Sequence, residues 1–199
     1  MVSLAIAEVY LLNSNPDNTS GLHRVFIGIG CDDGIQEQTK KLLNPLKKSF
    51  PRIAWVPEIN RHLTLAFLGT LSSSQLGNLM ADFDKAYKKD KCFRYSLTKL
   101  TRFPDSNGRI VALVGDPDDR LGRVYQHTMM LLQANGLESV WDDFKPHITL
   151  GRIRKTIPFT TNIDQPVDAR LEVIKITLYQ SVLTSSGGVY TALREARLG

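Results

Sequence analysis

The chain has 199 residues, of which 42% are hydrophobic and 23% are charged, as in an ordinary globular protein. Its formal charge of +5 suits an anionic partner such as RNA or a nucleotide without requiring one. Two cysteines without a CxxC spacing argue against a disulfide framework and a structural zinc site, and no apolar run is long enough to span a bilayer. We therefore expect a reducing, cytoplasmic setting and no membrane association.

The start of the chain is expected to lie outside the domain. Residues 1–12 are apolar but are interrupted by Glu8 and lack a basic segment, and residues 13–21 are a run of turn formers. We interpret residues 1–21 as an N-terminal extension and linker, and residues 22–199 as one domain.

Hydrophobic periodicity predicts eight strands and three helices in the order β, α, β, β, α, β, β, α, β, β, β. The predicted strands are 25–29, 53–56, 62–68, 93–100, 109–115, 147–153, 171–183 and 189–193. The predicted helices are 35–48, 72–87 and 117–134. Asp32 or Asp33 can cap the first and a serine at 72–74 the second, while Pro-Asp-Asp opens the third. Residues 156–167 have little periodicity and are predicted to be a loop.

Two of the predicted strands begin with the same four-residue frame. One reads His-Leu-Thr-Leu from His62 and the other reads His-Ile-Thr-Leu from His147. The chain has only four histidines, so two in matching frames are unlikely to arise by chance. Because each half of the chain also has several strands and at least one helix, we interpret the pair as the trace of an internal duplication.

Side chains alternate between the two faces of a strand, so His62 and Thr64 point the same way, as do His147 and Thr149. If the two strands meet, two imidazoles and two hydroxyls converge. Imidazoles suit general acid–base chemistry near neutral pH, and hydroxyls can hold anionic oxygens. The set contains no strong nucleophile and no carboxylate, so it fits in-line attack on a phosphodiester better than acyl transfer. The two frames are too alike for the sequence to show which histidine is the acid.

Other interpretations of these histidines are weaker. A single strand histidine is usually structural, but two matching ones reverse that judgement. A metal site would need a third ligand at useful spacing, and the chain has no GxSxG, Walker A or GxGxxG frame. His23 and His127 lack a matching partner, and we interpret both as structural or solvent-facing.

The paired frames resemble those of the 2H phosphoesterase superfamily, and most closely its RNA 2′,3′-cyclic phosphodiesterases, also called 2′-5′ RNA ligases (LigT-like). Further segments, over about residues 22–195, support the resemblance: 24–29, 55–57, 144–152, and 178–183 followed by 187–190. Gly151 stands where the family often has Ala, which is a mild departure.

The resemblance implies a bilobal α+β fold, in which two antiparallel sheets with outer helices surround a central cleft with pseudo-two-fold duplication. It implies metal-independent hydrolysis, without a cofactor, of an RNA terminal 2′,3′-cyclic phosphate to a 2′-phosphomonoester. By the same resemblance, His62 is the proton donor and His147 the proton acceptor, while Thr64 and Thr149 hold the phosphate oxygens. We expect a monomer acting on RNA or a nucleotide.

Four further residues are candidates for substrate binding. Alternation alone would put Arg152 on the face opposite His147, but a bulge near Gly151 could turn it towards the phosphate, as the resemblance favours. Phe26, Phe67 and Tyr179 could stack on a base or belong to the core. Two alternatives remain open: a 2′-5′ RNA ligase or small cyclic-nucleotide phosphodiesterase, and a nucleotide- or RNA-binding module without turnover.

Overall fold

A computed structural model describes residues 21–140, 143–154, 162–184 and 187–199. Nine strands occur in these ranges: β1 (Leu22–Gly30), β2 (Ala54–Trp55), β3 (His62–Ser72), β4 (Phe93–Phe103), β5 (Ile110–Val114), β6 (His147–Arg152), β7 (Gln165–Val173), β8 (Lys175–Thr184) and β9 (Gly187–Arg197). The helices are α1 (Asp33–Ser49), α2 (Ser73–Ala86) and α3 (Asp119–Ala134), and a 3₁₀ turn covers Glu58–Asn60. The predicted N-terminal extension lies outside the described residues, apart from Gly21.

The three predicted helices are confirmed, and each begins at a side-chain cap. Asp32 accepts a hydrogen bond from the backbone N–H of Ile35 at 3.0 Å, and Asp118 caps α3 in the same way. Ser72 and Gln75 form a capping box at the start of α2. These caps satisfy backbone N–H groups that the first turn of a helix leaves without partners.

The prediction for residues 162–183 is wrong in part. Part of the predicted loop belongs to β7, and the predicted strand 171–183 is divided at Ile174, which is 49% exposed. β7 pairs with β4 at one edge of the sheet, whereas β8 pairs with β1 in the other half. Pro166 made residues 165–167 look unlike a strand, but an edge strand such as β7 tolerates a proline. The apolar run through residue 178 gave no sign that the chain changes from pairing with β4 to pairing with β1. Residues 156–161 of the predicted loop lie outside the described part.

The strands form one antiparallel sheet in the order β7-β4-β5-β6-β3-β1-β8-β9, with β2 beside β6. Its two halves of four strands, β7-β4-β5-β6 and β3-β1-β8-β9, meet where β6 lies beside β3. Leu63 opposite Ile148 is the one register pair between these strands in the described residues. We call this meeting point the seam; it joins the two sheets that the resemblance implies.

The expected duplication is visible in the topology. In one half, β1 and α1 precede β3, with the short β2 between α1 and β3, and in the other half β5 and α3 precede β6. β3 and β6 each begin with the His-x-Thr frame and lie at the seam. Apolar residues of all three helices pack with Leu63 and Ile148 in one core, so that face of the seam is buried. The opposite face is left for the histidines and threonines.

Candidate active site

The seam brings the two motifs together. Leu63 and Ile148 are opposite each other in the antiparallel register, and both are fully buried. One step along each strand therefore sets His62 beside Thr149 and His147 beside Thr64, all on the opposite face. These four side chains are half-buried. Each histidine is thus the neighbour of the other motif's threonine.

Both imidazoles are held by the same kind of hydrogen bond. Nδ1 of His62 lies 2.8 Å from the carbonyl oxygen of Asn60, and Nδ1 of His147 lies 2.8 Å from that of Lys145. A carbonyl oxygen can only accept, so Nδ1 donates in each ring. This bond fixes the tautomer and leaves Nε2 of each neutral ring as the proton acceptor.

The surroundings of the two histidines disfavour their protonated forms. Burial is the main cause that lowers the pKa of His62 to about 4; the Asn60 hydrogen bond acts to raise it, and repulsion from His147 and Arg152 acts with burial. Burial also lowers the pKa of His147, with Arg152 acting in the same direction. Both rings are therefore neutral near pH 7 until an anion supplies compensating charge.

Arg152 reaches the site because β6 has a bulge. Relative to β5, β6 carries one extra residue, Leu150, between Thr149 and Gly151. The extra residue shifts the alternation, so Arg152 returns to the face of Thr149 and is exposed there. Its effect on the pKa of both histidines agrees with this position.

Gly151 follows from packing beneath the bulge. A Cβ at this position would lie 2.8 Å from a methyl carbon of Ile53 and 2.9 Å from the ring of Trp55. Both distances are shorter than real Cβ contacts, so even Ala would displace β2 or its ring. The departure from the family's usual Ala is thus tied to how Trp55 packs on β6.

The three aromatic candidates differ in burial. Phe26 is 3% exposed and lies between the rings of His62 and Tyr179, at centroid distances of 4.6 and 4.9 Å. Phe67 is 7% exposed, and the guanidinium of Arg24 lies over its ring at 5.0 Å. Both phenylalanines are buried, but neither belongs to the core cluster behind the seam, so their roles in the core or in base stacking stay predictions. Tyr179 is half-buried, and base stacking on it stays a prediction.

Sequence reasoning missed two further rings beside the histidines. Phe103, which lies beyond the predicted strand 93–100, ends β4 and stacks on His147 with a centroid distance of 3.9 Å. Tyr190 of β9 meets His62 edge-on at 5.3 Å. Neither ring has a local sequence signal, because each comes to its histidine from another strand of the sheet.

Asn60 is a third residue that the sequence did not reveal. Its carbonyl oxygen holds the His62 ring, and its side-chain Nδ2 donates to the carbonyl oxygen of Gly188 at 2.7 Å. The start of β9 is thereby tied to the residue that orients His62. On the other side, buried Arg61 donates to Gln36 and Thr39 of α1, which fixes the start of β3.

The two histidines outside the motifs each have a hydrogen-bond partner away from the seam. Nδ1 of His127 lies 2.8 Å from a carboxylate oxygen of Asp90, and Nε2 of His23 lies 3.1 Å from the hydroxyl of Ser73. Among the described residues, no three His, Cys, Asp or Glu side chains are grouped as metal ligands. In the same part of the chain, no helix is long and apolar enough to cross a membrane.

Known phosphoesterases are similar to the chain in sequence. Residues 29–114 match the family model for LigT like phosphoesterases. An RNA 2′,3′-cyclic phosphodiesterase of Thermotoga maritima is 28% identical over 180 residues, which cover 87% of this chain and 95% of that protein. One of Aquifex aeolicus is 29% identical over 184 residues, which cover 88% and 97%.

Solved structures share the fold. The protein TT0787 of Thermus thermophilus superposes with a TM-score of 0.76 at 23% identity, covering 88% of this chain and 97% of that chain. Escherichia coli LigT in its apo form gives 0.70 at 26% identity, and its complex with phosphate gives 0.68 at 26%; each covers 90% of this chain and 99% of that chain. With the paired motifs at the seam, these likenesses show that the chain is similar to LigT-like phosphoesterases in sequence and in fold.

Proposed function

We propose that the chain hydrolyses a terminal 2′,3′-cyclic phosphate of RNA to a 2′-phosphomonoester, with its two motif histidines as general acid and base and without a metal. The observation that carries this proposal is the seam, which sets two identically anchored imidazoles beside two threonines on one face. Relatives named RNA 2′,3′-cyclic phosphodiesterase, similar over most of the chain, support the substrate.

In the proposed reaction, Nε2 of His147 takes a proton from water. The resulting hydroxide attacks phosphorus, and the bond from phosphorus to the 3′ oxygen breaks. His62, protonated, gives its proton to that oxygen, so the phosphate remains on the 2′ oxygen. The assignment of donor and acceptor comes from the family resemblance.

Thr64, Thr149 and Arg152 are the proposed phosphate-binding groups. The threonines lie on the same face as the histidines, and the bulge brings Arg152 to that face. A hydroxyl and a guanidinium are strong hydrogen-bond donors to phosphate oxygens. Burial and Arg152 disfavour the protonated form of His62, and the negative charge of the bound phosphate stabilises it. Substrate binding would therefore raise the pKa of the acid just before it is needed.

An assay of end groups tests the proposal. An oligonucleotide ending in 2′,3′-cyclic phosphate is incubated with the protein in excess EDTA, and the product is identified by chromatography against 2′- and 3′-phosphate standards. We expect the 2′-phosphate. A 3′-phosphate product, or turnover that EDTA abolishes, would contradict the proposed mechanism. Tight binding of AMP or CMP without hydrolysis of any cyclic substrate would favour a binding module.

The cytoplasmic setting, the monomeric state and the domain limits of 22–199 stay predictions. Size-exclusion chromatography with light scattering would test the second, and limited proteolysis the third.

A further inference from the structure

The two ends of the site have different surroundings. At the His62 end, the rings of Phe26, Tyr179 and Tyr190 have centroids within 6.1 Å of the imidazole. At the His147 end, the surface opens into a groove of about 560 Å³. A substrate larger than a mononucleotide therefore has room to continue past His147.

The groove is continuous with the site. Three residues that line it also touch His147: Phe103 stacks on the ring, Val114 is its cross-strand partner, and the carbonyl of Lys145 accepts from Nδ1. The volume lies within the range of roughly 300–1,000 Å³ that is typical of ligand sites. We call this region the side groove.

Positively charged side chains line the side groove. Lys99, Arg102 and Lys145 face two carboxylates, Asp105 and Asp164. Both carboxylates already accept hydrogen bonds: Asp105 from the backbone N–H of Asn107 at 2.8 Å, and Asp164 from Thr101 at 2.7 Å, with Lys99 2.6 Å away. The lining thus keeps a net positive charge near the place where an RNA chain would leave the site.

The lysines of the groove can exchange partners at low cost. Lys145 pairs with Asp143 at 2.9 Å, but the two side chains are 51% and 74% exposed. Lys99, in its pair with Asp164, is 48% exposed. Exposed ion pairs contribute about 0–1 kcal/mol, so an RNA phosphate can compete for such lysines. Half-buried Phe144 adds an apolar surface to the same lining.

We infer that the side groove binds the sugar–phosphate backbone of the nucleotides next to the cyclic end, so the preferred substrate is an oligonucleotide rather than a cyclic mononucleotide. The inference rests on the proposed function. It adds to that function a subsite, a direction for the RNA past His147, and a substrate length.

The test compares two substrates and two variants. The value of kcat/KM is measured for a 2′,3′-cyclic mononucleotide and for a five-nucleotide RNA with the same cyclic end, each at several salt concentrations. For the wild type we expect kcat/KM to be about 10-fold higher on the pentanucleotide. Its logarithmic salt slope should be steeper by about 0.7 for each phosphate bound in the groove.

The double variant Arg102→Gln/Lys145→Gln should lose most of this difference, chiefly through KM for the pentanucleotide. Lys88→Gln removes one positive charge at an exposed position after α2, outside the groove, and is expected to keep the difference. Equal kcat/KM and equal salt slopes for the two substrates in the wild type would overturn the inference while leaving the proposed function intact. An equal loss on both substrates in the double variant would also overturn it, because that result indicates a disturbed His147.

Binding separates this inference from the proposed function. If neither substrate is hydrolysed, the proposed function fails. Fluorescence anisotropy with a labelled pentanucleotide ending in 2′-phosphate then decides about the groove. The double variant should bind several-fold more weakly than the wild type and Lys88→Gln, and equal binding by all three would overturn the inference.

Discussion

Replacing Asn60 by Ala tests whether the hydrogen bond from Asn60 to Gly188 serves catalysis or only stability. The substitution removes the 2.7 Å bond from Nδ2 to the Gly188 carbonyl oxygen and keeps the backbone carbonyl that holds His62. A half-buried hydrogen bond of this kind contributes about 0.5–1.5 kcal/mol to the free energy of unfolding. Urea unfolding should show a loss of that size.

Asn135 provides a matched control. Its Nδ2 donates to the carbonyl oxygen of Leu131 at 3.0 Å, and this bond is also half-buried, but it lies at the end of α3. Asn135→Ala should therefore cost a similar free energy of unfolding and leave kcat unchanged.

Asn60→Ala should in addition lower kcat by about 10-fold, because a displacement of His62 by a fraction of an ångström should cost less than the roughly 10²-fold that a 1 Å misplacement can cause. The hydrogen bond from His62 to Asn60 raises the pKa of His62, so a loosened bond should move the limb of the kcat/KM profile that His62 governs to lower pH. If Asn60→Ala matches Asn135→Ala in stability, kcat and pH profile, the positioning role is refuted.

Three further predictions concern packing, charge and pH. A Cβ at Gly28 would lie 2.7 Å from the Leu63 carbonyl oxygen, so Gly28→Ala should lower the free energy of unfolding by about 1–3 kcal/mol in urea titrations. Gly122→Ala is the control, because a Cβ there would enter open space beside α3 and should not lower this free energy. Equal losses in the two variants would contradict the prediction. Arg152→Gln should lower kcat/KM by about 10-fold or more. It should also shift the pH profile of kcat/KM to higher pH, because the substitution removes a cation that lowers the pKa of both histidines. A profile at unchanged pH would contradict the position of Arg152 at the site. His62 binds a proton near pH 6.5 in the unfolded state but only near pH 4 in the folded state, so the free energy of unfolding should fall as the pH is lowered from 6.5 to 4. His62→Gln should make this fall smaller. An unchanged fall in the variant would contradict the lowered pKa of His62.

The motifs and the helices could be predicted because their signals are local. His62 and Thr64 share a face by strand alternation, and so do His147 and Thr149. Caps such as Asp32 and Ser72 mark where helices begin. These features depend on residues within a few positions of one another, which a sequence displays directly.

Features set by distant pairing could not be predicted. The bulge at Leu150 exists relative to β5, so only the partner strand reveals that Arg152 returns to the site face. At Ile174 the chain leaves β7, in one half of the sheet, and enters β8, in the other half. The sequence around Ile174 reads as one continuous apolar run, so it does not show this crossing. The hydrogen bond between Asn60 and Gly188 joins residues 128 positions apart, and no local sequence pattern at either residue indicates it.

The roles of the two motif histidines are tested by single-turnover hydrolysis of an RNA 2′,3′-cyclic phosphate in excess EDTA by the wild type, His62→Gln and His147→Gln. His23→Gln serves as the control, because its half-buried ring bonds Ser73 and lies outside the motifs. We expect a 2′-phosphate product, a rate lower by about 10² or more in each motif variant, and a normal rate in the control. Near-normal rates in both motif variants would contradict these roles.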